Sequence, residues 1–321
     1  MENKRTLLVG EPMGLFVAER TGHLEDVDIF SATTCGAELN VAVGLRRLEH
    51  QVSYMTKLGH DPFGKRIVKT MNASGISTDM VMYSETHPTG FMFKSKVLEG
   101  DPDIFYFRKG SAASTISPED VEHLDYSQYD IVHITGITPA LSDSAKAATL
   151  AVLKQAKAHG AMFSFDPNLR PQLWPSIQCM SDFMNQVAYQ ADLFLPGIKE
   201  AKVIIGLDKP EEIAEHYLAH GTKCIIIKLG AQGAYYATKE CSGYVPGFHV
   251  EQIIDTVGAG DGFAAGVLSA LQEGLSLENA VRRGCAIGAI QLMSKGDNDG
   301  LPTRTELDAF MAGKKDWRIS G

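Results

Sequence analysis

Short runs of apolar residues alternate along the chain with longer segments in which apolar residues recur every three or four positions. The short runs predict buried strands and the longer periodic segments predict helices. Alternation of the two kinds predicts a mainly parallel sheet covered by helices on both faces, an α/β fold with a three-layer core. The predicted strands are 6–9, 52–58, 131–135, 162–166, 193–195 and 224–229, and predicted helices include 38–48, 63–74 and 144–159.

Two segments interrupt this rhythm. Residues 15–30 and 89–108 read as alternating strands separated by turn residues, which predicts a small antiparallel sheet outside the main one. We therefore expect a β lid formed by segments of about 12–35 and 88–110, inserted in the α/β core. Because neither an internal repeat nor a low-complexity linker is evident, we interpret residues 1–321 as a single domain.

The charge balance limits the classes of partner. Thirty Lys and Arg against 39 Asp and Glu give a formal net charge of −9, which disfavours nucleic acid and anionic membranes. The five cysteines are odd in number and contain no CxxC pair, so a disulfide framework is not expected. Apolar runs are far shorter than the about 18 residues of a membrane span. We expect a cytoplasmic protein in which any anionic ligand meets locally gathered positive charge.

The segment IIDTVGAGDGFAAGVLSAL, residues 253–271, carries the most informative chemistry. Phe263, Val267 and Leu271 recur at helical spacing, which predicts a helix that begins near Gly260 and packs this stripe inward. The small residues Gly258, Ala259 and Gly260 then lie at the helix N-terminus, where free N–H groups and the helix dipole favour an anion.

Asp261 lies directly beside that predicted anion site. A carboxylate there would repel a phosphate, unless it accepts a proton from a nucleophile, and this combination favours phosphoryl transfer with Asp261 as the base. The alternative is an acidic first-turn residue that only complements the helix dipole. A dinucleotide fingerprint is disfavoured because its third glycine position is Phe263, and no GxxxxGK[ST] loop is present.

With DTVGAGD at 255–261, the chain resembles the ribokinase-like (PfkB) family of carbohydrate kinases. The resemblance extends over essentially the whole chain, through CGAELNVAVGLRRLE at 35–49, KLGHDPFGKRI at 57–67 and FDPNLRPQLW at 165–174. Within the family, FYFRKGSAAS at 105–114, GITPAL at 136–141 and NLRPQLW at 168–174 are most similar to 2-keto-3-deoxygluconate kinases.

The resemblance implies a ribokinase-like fold and ATP-dependent phosphorylation of the 6-hydroxyl of 2-keto-3-deoxygluconate. Arg108 and Arg170 suit a carboxylated sugar, because guanidinium groups bind carboxylates with paired hydrogen bonds; the alternative for either is a solvated surface residue. A neutral-sugar kinase of the fructokinase or ribokinase type and a non-catalytic sugar-acid sensor remain alternatives. The substrate-binding residues that the resemblance implies are Gly36, Ala37, Asn40, Tyr106, Arg108, Ile137, Arg170 and Asp297.

The resemblance also implies a nucleotide side that binds ATP. KLGAQGAYY at 228–236 matches the family's nucleotide strand and turn, so we expect Lys228, Gly230 and Gly233 to serve ATP together with Gly258 and Gly260. Where the family has an NxxE motif, the Asn position is Gly197 and Glu200 is retained; Glu200 is then expected to hold Mg²⁺ through water, or else only begins a helix. The resemblance also allows a monovalent cation as a further cofactor.

Two further positions depart from the family pattern. Cys35-Gly36 replaces a Gly-Gly turn, and Phe91 replaces an aromatic hydroxyl after Thr-Gly. Each of these changes alters the expected sugar pocket, the first by narrowing it and the second by removing a hydrogen bond. Because unpaired sheet edges seek partners, the lid also predicts a homo-oligomer.

Overall fold

A computed structural model describes residues 5–97, 102–294, 296–314 and 317–318. Residues 98–101, which fall in the second predicted lid segment, lie outside the described residues. The strands are β1 Arg5–Val9, β2 Met13–Thr21, β3 Phe30–Cys35, β4 Gln51–Gly59, β5 Val81–Ser84, β6 Phe91–Lys96, β7 Ile104–Phe107, β8 Ile131–Thr135, β9 Met162–Asp166, β10 Leu193–Phe194, β11 Cys224–Lys228, β12 Ala234–Ala237 and β13 Ser242–Val245. The α-helices are α1 Ala37–Arg47, α2 Pro62–Ala73, α3 Pro118–Glu122, α4 Ile137–Ala140, α5 Asp143–Ala158, α6 Ile177–Ala188, α7 Ile198–Ile205, α8 Pro210–Ala219, α9 Ala259–Gln272, α10 Leu277–Leu292 and α11 Arg304–Met311.

The larger sheet follows the order β13-β12-β11-β10-β9-β8-β1-β4-β5. Neighbouring strands from β11 to β5 pair in parallel, whereas β12 and β13 form an antiparallel edge. The predicted mainly parallel sheet is confirmed. The strands β5, β12 and β13 were not among the predicted ones, because each is only four residues long and lacks a clear aliphatic run.

Side chains that alternate along each strand supply two separate cores. On β1, Leu7 and Val9 pack with α5, α6 and α8 on one face, while Leu8 packs with α1, α9 and α10 on the other. A strand with consecutive buried apolar residues is typical of a parallel sheet buried on both faces. The result is the three-layer α/β/α arrangement that the sequence predicts.

Helix α9 differs from the predicted one-sided stripe. It is buried from Gly262 to Ala270, because α1 packs on one side of it and α10 on the other. A Cβ atom at Gly266 would lie 2.8 Å from the carbonyl oxygen of Arg283, so this glycine lets α10 approach closely. The small residues of α9 therefore fix the helix, and its N-terminus, deep in the molecule.

The smaller sheet follows the order β3-β2-β6-β7. Its outer pairs, β2–β3 and β6–β7, are antiparallel as predicted, but the central pair, β2–β6, is parallel. The cause is the origin of the two strands: β2 follows β1 and β6 follows β5, and β1 and β5 run in the same direction in the larger sheet. The prediction of an entirely antiparallel sheet is therefore wrong at its centre.

The carboxyl ends of the parallel strands lie at one edge of the larger sheet, where ligands bind in open α/β sheets. Glu11 follows β1, Thr135 ends β8, Asp166 ends β9 and Lys228 ends β11. Short connections after β1 and β5 lead from this same edge into strands β2 and β6 of the smaller sheet. No helix in the described part of the chain has the length and apolar character needed to cross a membrane.

Candidate active site

A cavity of about 290 Å³ lies between the carboxyl edge of the larger sheet and the smaller sheet. In the described part of the chain, both sheets and the N-termini of α1 and α9 contribute to its wall. The lining residues discussed below are Glu11, Cys35, Gly36, Ala37, Glu38, Asn40, Met92, Tyr106, Arg108, Ile137, Asp166, Arg170, Glu200, Lys228, Gly258, Gly260, Asp261 and Asp297.

The N-terminus of α9 opens into this cavity. Gly258 is the N-cap with φ +79°, and a Cβ atom there would lie 2.4 Å from the carbonyl oxygen of Asp297, so only glycine fits. Gly260 is exposed, and a Cβ atom on it would lie 3.9 Å from Nζ of Lys228. Unpaired N–H groups, the helix dipole and a nearby ammonium together form a site suited to an anion.

Asp261 lies in the first turn of α9, beside the anion site. Its Oδ2 accepts a hydrogen bond of 2.8 Å from the Nδ2 of Asn40, a buried residue of α1. Burial raises the pKa of Asp261 to about 7, against the opposing effect of the Asn40 hydrogen bond. A carboxylate with this pKa exchanges protons near neutral pH, as a general base must.

Arg108 is 5% exposed and is held by an acidic partner that the sequence did not reveal. Its Nε donates a hydrogen bond of 2.7 Å to Oε2 of Glu11, and Nη2 also contacts this oxygen. Ser111 donates its hydroxyl to the other Glu11 oxygen, and the Tyr106 ring centroid lies 5.5 Å from the Arg108 guanidinium carbon. Arg108 is thus a buried, charge-compensated residue of the cavity wall rather than a solvated surface residue.

Arg170 has different partners. Its Nη1 donates to the carbonyl oxygens of Asn168 and Leu169 and, at 2.8 Å, to Oδ1 of Asn168. Asn168 adopts a positive φ of 36°, which turns this loop back toward the cavity. The three acceptors are neutral, so the positive charge of Arg170 stays available to a ligand, and it acts on Asp261 by lowering its pKa.

Lys228 lies between two carboxylates. Its Nζ is 2.6 Å from Oδ2 of Asp166, which is buried. Burial disfavours the ammonium, but Asp166 and then Glu200 outweigh it, so the pKa of Lys228 is raised and the residue stays charged. Lys228 therefore brings a fixed positive charge to the anion site.

Glu200 caps a helix in this structure. Its two oxygens accept hydrogen bonds from the N–H groups of Leu169, at 2.9 Å, and of Gly197, at 2.7 Å. Burial raises the pKa of Glu200. The second lone pairs of these oxygens, and the nearby Asp166, give a set of hard oxygen donors that suits Mg²⁺ bound through water.

Asp297 is 5% exposed and burial raises its pKa to about 6. Lys94 of β6 approaches its Oδ1 to 3.6 Å and is 2.6 Å from Oδ2 of Asp255. The loop that carries Asp297 is fixed by Gln291, whose Nε2 donates to the carbonyl oxygen of Asp297 at 3.0 Å. The predicted residue therefore lies at the cavity, together with a lysine that the sequence analysis did not select.

The turn before α1 completes the floor. Gly36 has φ +144°, and a Cβ atom there would lie 2.9 Å from the carbonyl oxygen of Glu11, so the two chain segments cross closely. Ala37 and Ile137 are buried and line the cavity beside it. Cys35 also lines the cavity, and burial raises the pKa of its thiol well above the ordinary value, which leaves it an unreactive small side chain.

Three residues predicted to serve ATP or the transferred phosphate lie outside the lining of this cavity. Gly230 and Gly233 flank a tight turn after β11 with φ values of +62° and +97°. A Cβ atom at Gly233 would lie 2.0 Å from the carbonyl oxygen of Val245, so its conformation serves the turn. Ala259 is the first residue of α9 and contributes its N–H group.

Phe91 points away from the cavity. Its ring stacks on Phe107 at 4.8 Å between centroids, on the opposite face of the smaller sheet. The next residue, Met92, lines the cavity instead, since successive strand residues point to opposite faces. Phe91 therefore does not occupy the substrate side of the sheet.

Several residues of the site were missed by sequence reasoning. Glu38 is 1% exposed, and burial raises the pKa of its carboxyl. Its Oε1 accepts hydrogen bonds from the N–H and hydroxyl of Thr135 and from the hydroxyl of Thr138. Position in the sequence could have indicated three other residues of the site, since Glu11, Thr135 and Asp166 each end or follow a buried parallel strand, where ligands bind.

The chain is similar to known proteins over most of its length. The model of the "pfkB family carbohydrate kinase" matches residues 7–304. A 2-dehydro-3-deoxygluconokinase from Bacillus subtilis (strain 168) is 44% identical over 307 residues, which cover 95% of each chain. A crystal structure of a PfkB protein from Polaromonas sp. JS666 has a TM-score of 0.88 and 42% identity, covering 95% of this chain and 99% of that one.

A more distant solved structure carries ligands. A double mutant of the fructokinase from Vibrio cholerae O395, in a form with bound fructose, ADP and potassium ion, has a TM-score of 0.86. It is 25% identical, covering 96% of this chain and 98% of that one. These comparisons confirm the predicted fold class and the family resemblance.

The raised pKa of Asp261 predicts how stability depends on pH. An ordinary aspartate has a pKa of 3.8, and the neutral form of Asp261 persists in the fold up to about pH 7. The stability that this neutral form favours is fully present below pH 3.8 and is lost as the pH rises toward 7. Because asparagine cannot ionise and keeps an acceptor for Asn40, we expect Asp261→Asn to raise the Tm near pH 8.

The gain in Tm should be smaller near pH 5, where Asp261 is already neutral in the fold. Thermal unfolding of both proteins at the two pH values measures it, with Asp308→Asn as the matched control, since Asp308 is exposed. An equal change at both pH values would contradict the burial of charge at Asp261.

Proposed function

Because the chain belongs to the pfkB family of carbohydrate kinases, and is therefore a phosphotransferase with an alcohol group as acceptor, we propose that its acceptor is 2-keto-3-deoxygluconate. ATP is the proposed donor and the 6-phospho sugar acid the product. The observation that carries the proposal is the cavity itself. The cavity contains the Arg170 guanidinium, whose hydrogen-bond acceptors are neutral, together with the base Asp261 and the anion site at the N-terminus of α9.

The sugar acid lies, in this proposal, between the smaller sheet and the turn before α1. Arg170 compensates its carboxylate, while Arg108 contributes the N–H groups that Glu11 leaves free and Tyr106 covers the sugar from β7. Gly36, Ala37 and Ile137 shape the floor. Asn40 and Asp297 offer hydrogen bonds to hydroxyl groups, a role that suits their buried positions at the cavity wall.

Asp261 is the proposed general base. Its carboxylate accepts the proton of the 6-hydroxyl as that oxygen forms a bond to the γ-phosphorus of ATP, and the bond from phosphorus to the bridging oxygen breaks to release ADP. Negative charge develops on the transferred phosphoryl group next to the N–H groups of Gly258, Ala259, Gly260 and Asp261. Lys228 adds positive charge on the same side.

The nucleotide side of the proposal comes from the likeness to a ligand-bound relative. The fructokinase structure from Vibrio cholerae O395 contains ADP and potassium ion, and by that likeness we propose ATP and a monovalent cation for this chain. Gly230 and Gly233 are proposed to shape the turn beside the nucleotide. Mg²⁺, which neutralises charge on the phosphates when bound, is proposed to be held through water by Glu200.

A second copy of the chain is the proposed protein partner. The outer face of the smaller sheet exposes Phe105 and Phe107 to 59% and 48%. Exposed apolar patches of this kind favour association, and we propose a homo-oligomer through this lid, in the cytoplasm. Light scattering in solution tests it, and a monomeric mass would contradict it.

A neutral-sugar kinase is the second candidate. The observation that favours it is the structural likeness to the fructose-bound fructokinase. The feature that argues against it is Arg170, whose charge a neutral sugar would leave uncompensated. A non-catalytic sensor is not favoured by any contact, since the base and anion site are both present.

A substrate comparison separates these candidates. We expect ADP release, followed by a coupled assay, to give a higher kcat/KM with 2-keto-3-deoxygluconate than with fructose or ribose. The physical reason is the charge of Arg170. A higher kcat/KM with either neutral sugar would contradict the proposal, and calorimetric binding of the acid without ADP release would favour the sensor.

Asp261→Asn should lower kcat by roughly 10²- to 10⁴-fold, the range for loss of general-base assistance. In the wild type, kcat/KM should fall as the pH decreases through about 7, because protonated Asp261 cannot accept the hydroxyl proton. Steady-state kinetics from about pH 5 to 9 measure both effects. The assignment fails if kcat of this variant stays near that of the wild type while Asp308→Asn is also unchanged.

Arg170 and Arg108 should differ in how they affect selectivity. We expect Arg170→Met to lower kcat/KM for the sugar acid by roughly 10- to 100-fold, the worth of a charge-assisted hydrogen bond, with a smaller effect on fructose. Arg108→Met should weaken the binding of both the sugar acid and fructose. It should also lower the Tm, because it leaves Glu11 buried without an opposite charge.

The exposed Arg66, which donates to the carbonyl oxygen of Ala32 at 3.0 Å, provides the matched control Arg66→Met. Equal losses of kcat/KM for the acid and for fructose in Arg170→Met would show that Arg170 does not read the carboxylate.

A further inference from the structure

Lys94 is a buried lysine for which the proposed reaction assigns no role. It lies on β6, on the same face as Met92, and its side chain is 5% exposed. Lysine is almost never buried unless it is paired. Here Nζ is 2.6 Å from Oδ2 of Asp255 and 3.6 Å from Oδ1 of Asp297.

Asp255 belongs to the turn that presents the anion site, and Asp297 belongs to the loop after α10, which packs against that turn. Oδ1 of Asp255 accepts a hydrogen bond of 3.1 Å from the N–H of Val257, which fixes the residues just before Gly258. The carbonyl oxygen of Asp297 lies against Gly258, where a Cβ atom would approach it to 2.4 Å. Asp255 therefore fixes the residues just before Gly258, and the backbone of Asp297 packs against Gly258 itself.

The charges explain why a cation is needed at this point. Two carboxylates that share one buried location repel each other and any anion that approaches α9. The Lys94 ammonium relieves this repulsion. It comes from the smaller sheet, whereas Asp255 precedes α9 and Asp297 lies in the loop after α10, so one ion-pair cluster joins the sugar side of the cavity to its phosphate side.

We propose that Lys94 is a positioning residue for phosphoryl transfer: through Asp255 and Asp297 it holds the 255–258 turn, so that the α9 N–H groups face the transferred group while the smaller sheet covers the sugar. The inference rests on the proposed function, because ATP turnover is its readout. Lys94 touches none of the reacting atoms in this scheme.

The test removes the charge of Lys94 and keeps most of its length. We expect Lys94→Met to lower kcat by about 10- to 100-fold, the size of effect that small misplacement of reacting groups produces. The KM for the sugar acceptor should change less than kcat does, because the change touches one proposed acceptor contact, Asp297, and leaves Arg170 and Asn40 as they are.

Lys96 on the same strand gives the matched control. Its side chain is exposed and donates to the carbonyl oxygen of Glu19 at 2.9 Å, so Lys96→Met should keep kcat within about twofold. A folded Lys94→Met enzyme with kcat within about threefold of the wild type overturns the proposal, and so does an equal loss in Lys96→Met.

A double variant separates positioning from simple charge balance. Lys94→Met leaves buried carboxylates unpaired and is expected to lower the Tm. Adding Asp255→Asn removes one of those charges and keeps the Oδ1 acceptor for Val257. We expect the Tm of the double variant to recover toward that of the wild type while kcat stays low, because the ion-pair link between the smaller sheet and the 255–258 turn is still absent.

If kcat recovers together with the Tm, Lys94 only balances charge and the proposal is overturned. The acceptor comparison with the wild type keeps this test separate from the proposed function. A wild-type enzyme that phosphorylates fructose better than the sugar acid would contradict the proposed substrate, yet the effect of Lys94→Met on turnover of that acceptor would still test the link.

Discussion

The arrangement of the site depends on the cost of placing carboxylates where anions must bind. A buried carboxylate needs an opposite charge or several donors, and in the described part of the chain every acidic lining residue except Asp261 has one or the other. Asp261 accepts one hydrogen bond, from Asn40, and burial raises its pKa to about 7. Arg108, Lys228 and Lys94 each reach an acidic residue from a different element, while N–H and hydroxyl donors serve the others. These pairings join segments far apart in sequence, so charge compensation also fixes the cavity walls. The acidic residues are Glu11, Glu38, Asp166, Glu200, Asp261 and Asp297.

This distribution of charge gives the two arginines of the cavity different chemistry. Two of the nitrogens of Arg108 bind Glu11, so it offers direction and shape more than net charge. Among the described residues, Arg170 donates hydrogen bonds to neutral oxygens, and it keeps its charge for a ligand. A protein with a net charge of −9 thus reserves one guanidinium and one helix N-terminus for anions, because its other cations in the cavity are already paired.

Much of the fold could be predicted because periodicity reports burial directly. The strands around Leu8 and Phe165 and the helix after Gly258 follow from apolar runs and small residues. The parallel centre of the smaller sheet could not be predicted, since strand direction is set by where β1 and β5 end in the larger sheet. The acidic partners of Arg108 and Lys94 could not be predicted either, because the spacing of residues along the chain does not indicate which distant carboxylate a buried cation contacts.

The parallel pairing of β2 with β6 also has a consequence for how the chain folds. The register places Gly14 beside Phe91, so the centre of the smaller sheet closes a long loop that contains α1, α2 and two strands of the larger sheet. Closing long loops is entropically costly and slow. The centre of the smaller sheet should therefore form after β1 has paired with β4 and β4 with β5, because those contacts close shorter loops. Until then, the aromatic strands β6 and β7 expose unpaired edges, which makes a nascent chain most prone to aggregation at the segment that later covers its substrate.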